Sequence, residues 1–144
     1  FVAKRFSIKQ LLPYIFSQVA GAVAASFTLK LLFPSNELLG ATLPAGSDLQ
    51  SFVLELLLTF FLMFVIINVA TGSKEVGMFA GLAIGSVVLL EAMFAGPKCG
   101  ASMNPARSIG PALLSMHLEH LWIYLTAPVI GAVLSIFLWN FLKK

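Results

Sequence analysis

Charge is what this sequence has least of. Asp, Glu, Lys and Arg make up only 10% of its 144 residues, whereas a soluble domain carries about 25%. So little polar surface cannot cover a globule in water, and the formal charge of +3 is too sparse for a nucleic-acid-binding face. Cysteine is nearly absent as well. Cys99 stands alone, which excludes an intrachain disulfide and a cysteine metal site. No nucleophile is paired with a base, so an enzyme has no constellation to rest on and no cofactor is implied. A signal-peptide pattern is missing too, and a chain that opens on Phe1 reads as a fragment.

What fills the space is apolar: 59% of the residues are hydrophobic, and the mean hydropathy is +0.97. Four stretches, at about 11–33, 52–70, 78–95 and 121–142, approach the ~20 residues needed to cross a bilayer core. The third is interrupted by Gly81 and Gly85, a spacing expected to let helices pack closely. Four spans put both chain ends on one side. Lys4, Arg5, Lys9, Lys74, Lys143 and Lys144 then share that side, which the positive-inside tendency makes cytoplasmic, and the connection 34–50 becomes an external loop. Lys30 sits near a span end, where it is expected to snorkel to the interface, and Trp122, Tyr124 and Trp139 sit where an interfacial belt would.

One segment does not fit a plain four-span chain. Residues 105–116 are largely apolar, but twelve helical residues reach only ~18 Å, about half the hydrocarbon thickness. Too short to cross and too apolar for a wet loop, the segment is expected to be a re-entrant half-helix lining a cavity. An internal repeat points the same way. At an offset of 110, Leu11, Tyr14, Val19, Gly21, Ala22, Val23, Phe27 and Leu32 meet identical residues in 121–142. Those two spans cross in opposite directions, so the repeat is of the inverted kind. The fold class expected is therefore an all-α membrane protein, with four spans and one half-helix over 1–144 as the C-terminal two-thirds of a single domain.

The chemistry concentrates at Asn104-Pro105-Ala106-Arg107. Asn is a preferred N-cap and Pro a preferred first helical residue, so a helix begins here. If the Asn104 oxygen accepts from the helix's own free N–H groups, its amide is held outward as a fixed donor. Near the membrane midplane, that donor, the positive helix end and Arg107 all disfavour cations, while a neutral hydroxylated molecule can accept from them.

This pattern resembles the second signature of the major intrinsic protein (aquaporin) family. The preceding Phe94-Ala-Gly-Pro, the following Ser108-Ile-Gly-Pro-Ala-Leu, Glu55 with Thr59-Phe60, and Gln18 with Gly21-Ala22 resemble it too. The resemblance covers essentially the whole chain, as spans three to six of a six-span fold. It implies a passive channel for water or small uncharged solutes, in a homotetramer with one pore per subunit, in a plasma or bacterial inner membrane. It also implies that two spans and a first signature lie before Phe1. By the family pattern Arg107, Ala101 and Ala92 belong to the selectivity constriction. Two alanines in place of bulkier polar groups suit glycerol, urea or neutral metalloid acids. Ser108, Ala112 and Tyr124 look like water-channel markers and Leu125 does not, a mixture similar to the nodulin-type intrinsic proteins and their bacterial relatives.

Several residues admit two readings. Glu55 matches the family carboxylate that braces the re-entrant loop, or it makes an incidental interhelical bond. Glu91 either lines the pore or bonds a neighbouring helix. Cys99 either faces the outer vestibule or is buried and inert. His117 and His120 flank Glu119 in what is expected to be a wet turn rather than a metal site. A non-conducting structural protein of the same fold remains the alternative function, because closed pores retain every motif quoted.

Overall fold

The computed structural model describes residues 1–71 and 77–143. Lys74 and Lys144, two of the six basic residues that set the expected orientation, lie outside them. Five helices are described: α1 (Ile8–Leu32), α2 (Asp48–Ala70), α3 (Ala80–Cys99), α4 (Pro105–Ser115) and α5 (Leu121–Leu142). All but α4 are long and apolar enough to cross a membrane.

Helix ends follow capping chemistry rather than hydropathy. α2 begins four residues before the apolar run at 52, because the Ser47 hydroxyl accepts from Gln50 N–H at 3.2 Å and Asp48 sits at the positive end. α1 starts at Ile8 rather than 11 without a side-chain cap, because its first turn is polar and so escapes a hydropathy reading. α3 runs past the expected stop at 95 and carries Pro97 inside its last turn. It ends only at Gly100, whose φ of 86° and N–H bond to the Gly96 carbonyl close the helix. A Cβ at Gly100 would also stand 2.9 Å from Thr42 Cβ, so glycine is required twice over. α4 ends one residue before the expected 116, where Met116 turns left-handed at φ 61°.

The helices pack as an open series: α3 lies on α2, α2 on α5, α5 on α4, and α4 on α1. The short helix is thus the only link between α1 and the other helices among the described residues. Close crossings occur where a side chain is absent. A Cβ at Gly131 of α5 would meet the Leu56 carbonyl of α2, and one at Gly110 of α4 would lie 2.5 Å from the Ala22 carbonyl oxygen of α1. Gly81 and Gly85, expected to pack, have nothing within 4 Å.

Polarity is arranged inside out for water. Glu55, Ser51, Ser108 and Ser135 are fully buried, whereas Leu12 and Phe16 are each 75% exposed and Phe141 73%. A chain that buries hydroxyls and a carboxylate while presenting Leu and Phe outward is suited to lipid. The protein is a multi-pass membrane protein.

Candidate functional site

Asn104 begins α4 in extended conformation, with φ −154° and ψ 114°. Its Oδ1 accepts from Ala106 N–H at 2.9 Å and from Arg107 N–H at 3.4 Å. Pro105, lacking an N–H, occupies the first helical position. With the oxygen so used, the amide N–H groups are left for whatever lies beside them. Asn104 lines three cavities, of about 520, 240 and 330 Å³. The first holds Arg107, Gly40 and Leu39; the others are walled mainly by apolar side chains of α1, α2 and α5, such as Ile15, Ile66 and Val129. Asn104 is the residue these three cavities have in common.

Arg107 projects from the first turn of α4, and its Nη1 donates to the Gly40 carbonyl at 3.1 Å. Among the described residues it has no carboxylate partner. Its charge and its other N–H groups are free for the cavity it lines. Gly40 lies in the α1–α2 connection, shaped by Asn36, whose Oδ1 accepts from Leu38 and Leu39 N–H at 3.1 and 2.9 Å. Leu39, at φ 51°, is strained for a non-glycine residue and nearly buried against the same cavity.

The loop before α4 is irregular, with Gly100, Ala101 and Met103 all at positive φ. Backbone of this kind at membrane depth must find its partners inside the protein. Glu55 of α2 supplies two of them: Oε1 accepts from Ser102 N–H at 2.7 Å and Oε2 from Met103 N–H at 2.8 Å. The Tyr124 hydroxyl of α5 donates to the Cys99 carbonyl at 2.7 Å. Two neighbouring helices thus hold the loop and the helix end that leads into it, and the carboxylate buried in α2 has its hydrogen bonds satisfied.

The sequence-predicted residues fall in different places. Asn104, Ala106 and Arg107 share the 520 Å³ cavity, and Pro105 lines the other two. Ala101 is buried beside Cys99, Leu58 and Ala95, while Ala92 is exposed on α3; neither lines the cavity that Arg107 occupies. Cys99 is fully buried, which decides between its two readings. Glu91 is buried between α2 and α3, among Leu54, Leu58 and Val87, with Oε2 unpartnered. His120 Nδ1 lies 2.9 Å from Asp48 Oδ1 at the start of α2, and no cluster of three metal-ligating side chains occurs among the described residues. Sequence reasoning missed Gly40, Leu39 and Thr42. A backbone carbonyl carries no residue signature; the only trace was the turn-forming Asn36 followed by Gly40.

A family model described as Major intrinsic protein matches residues 1–139. Nodulin-26 of Glycine max is 49% identical over 141 residues, covering 97% of this chain and 52% of that protein. Aquaporin NIP1-2 of Arabidopsis thaliana is 47% identical over 147 residues, covering 96% and 50% respectively. The chain therefore spans about half the length of these curated relatives. Among solved structures, the aquaglyceroporin from Plasmodium falciparum superposes with a TM-score of 0.83 over 96% of this chain and 66% of that one. At 23% identity that likeness shows the fold.

Proposed function

Because the chain belongs to the major intrinsic protein family, we propose that it forms the larger part of a passive pore for water and small uncharged solutes. One observation carries the reading: Asn104 and Arg107 present fixed donors and positive charge to cavities whose other walls are largely apolar. An alkali cation there meets a positive helix end and a guanidinium without compensating oxygens. A neutral molecule with a lone pair is oriented by both donors and released readily.

The finer assignments extend this reading. Glu55 braces the loop that aims Asn104. The family pattern assigns Ala92 and Ala101, neither of which lines the Arg107 cavity here, to the small-residue wall of a constriction, a composition that favours glycerol, urea or metalloid acids alongside water. The name of one relative, an aquaporin, supports the water part of that range. The assembly is a homotetramer in a cell membrane, with the basic ends in the cytoplasm.

The test is stopped-flow light scattering on proteoliposomes carrying the full-length protein, challenged with a glycerol gradient. Fast shrinkage with fast reswelling supports a solute channel; fast shrinkage with lipid-rate reswelling leaves a water channel. No acceleration over empty vesicles overturns the conducting reading in favour of a structural protein of the same fold.

A further inference from the structure

The α1–α2 connection, residues 33–47, is more than a tether between spans. It touches the site at three places. The Gly40 carbonyl receives Arg107 Nη1, Ala45 N–H donates to the Lys98 carbonyl at 2.9 Å, and Thr42 Oγ1 lies 2.7 Å from Ser108 Oγ. The third contact continues inward. Ser108 Oγ lies 2.5 Å from Ser102 Oγ, and Ser102 donates to the Asn104 carbonyl at 2.9 Å.

The direction of this chain follows from proton counting, since each hydroxyl has one hydrogen to give. Ser102 spends its hydrogen on the Asn104 carbonyl, so Ser108 must donate to Ser102. The Ser108 hydrogen is then used, so Thr42 must donate to Ser108. The result is a one-way series from Thr42 through Ser108 and Ser102 to the backbone oxygen of the residue that caps α4. All three hydroxyls are buried, at 6%, 0% and 6% exposure for Thr42, Ser108 and Ser102. No water competes for them, and one-way chains of this kind strengthen each member.

We propose that Thr42 and Ser108 are positioning residues for the pore, acting through this hydroxyl series on Asn104 and through the adjoining Gly40 carbonyl on Arg107. Thr42 is two residues from Gly40 and Ser108 is next to Arg107, so the Thr42–Ser108 bond fixes the register in which the carbonyl meets the guanidinium. Releasing it frees the loop to shift and frees Arg107 to swing across its cavity. The orientation of two donors that belong to α4 is thereby governed from a loop 66 residues away in sequence. The consequence for solute discrimination rests on the channel reading above; the positioning of Arg107 does not.

The experiment uses the full-length protein with Thr42→Val, which keeps the shape and removes the donor, and Thr42→Ser, which restores it. Two readouts are taken: the ratio of glycerol to water permeability in proteoliposomes, and the rate at which phenylglyoxal modifies Arg107, followed by peptide mass spectrometry against Arg5 as internal reference. Thr42→Val is expected to accelerate Arg107 modification about fivefold, the population shift for loss of one ordinary hydrogen bond, and to change the permeability ratio. Thr42→Ser should behave as the wild type in both. Equal Arg107 reactivity in Thr42→Val and wild type overturns the proposal, as does an equal change in both variants, which would assign the effect to packing. If the wild type conducts nothing, the channel reading fails and the labelling arm alone decides. If Thr42→Val does not fold, Ser108→Ala removes the acceptor of the same bond and carries the same expectation and the same overturning result.

Discussion

Glu55 and Ser102 are 47 residues apart in the chain, yet the Glu55 carboxylate accepts the Ser102 N–H at 2.7 Å inside the protein. Its second oxygen takes the next N–H along, that of Met103. One side chain therefore satisfies two donors that the strained loop 100–103 cannot satisfy within itself. Both contacts are charge-assisted, the first buried and the second partly so, a setting in which a lost partner is costly.

Glu55→Gln keeps the size but turns one acceptor into a donor facing an N–H. About 2 kcal/mol or more of stability should be lost per broken contact. Thermal unfolding in detergent should show a lowered midpoint and proteoliposomes a collapse of water flux. An unchanged midpoint would remove Glu55 from the role of brace.

Gly110→Ala places a methyl 2.5 Å from the Ala22 carbonyl oxygen, on backbone that cannot step aside. Because α4 is the described link between α1 and the rest, a loss of about 1–3 kcal/mol is expected. Gly81→Ala, where nothing lies within 4 Å, should leave the unfolding midpoint unchanged or slightly raised. Equal effects of the two changes would contradict the crossing geometry.

Cys99 is fully enclosed by Leu58, Ala95 and Ala101. Water flux should therefore be insensitive to mercuric chloride, and a maleimide should label the thiol only after denaturation. Rapid labelling of the folded protein would place Cys99 at a surface instead.

Ala92→His is the direct probe of the proposed wide constriction. It should slow glycerol reswelling by about tenfold, roughly 1.4 kcal/mol of added barrier, while shrinkage in the same trace slows far less. Proportional slowing of both phases, or of neither, would separate Ala92 from solute selection.

Much of the site was readable from local chemistry. Asn104, Pro105 and the two N–H groups capped by the Asn side chain lie within four consecutive residues, so the start of α4 needs no distant partner. The spans were readable because length and apolarity are additive along a chain. Their ends were less so: Ser47 starts α2 and Gly100 stops α3 through single hydrogen bonds that hydropathy does not register.

By itself, then, the sequence determined that this is an all-helical chain for a lipid solvent, with a half-helix whose first turn presents an amide and a guanidinium. Those are properties of neighbouring residues and of bulk composition. Only the tertiary structure decided what holds that turn in place: Glu55 beneath the loop, Tyr124 beside it, and the Gly40 carbonyl and Thr42 hydroxyl across from it. The physical reason is that buried hydrogen bonds are short and directional. They join whichever groups packing brings within about 3 Å, and nothing in the spacing of residues 66 or 67 apart announces which those are.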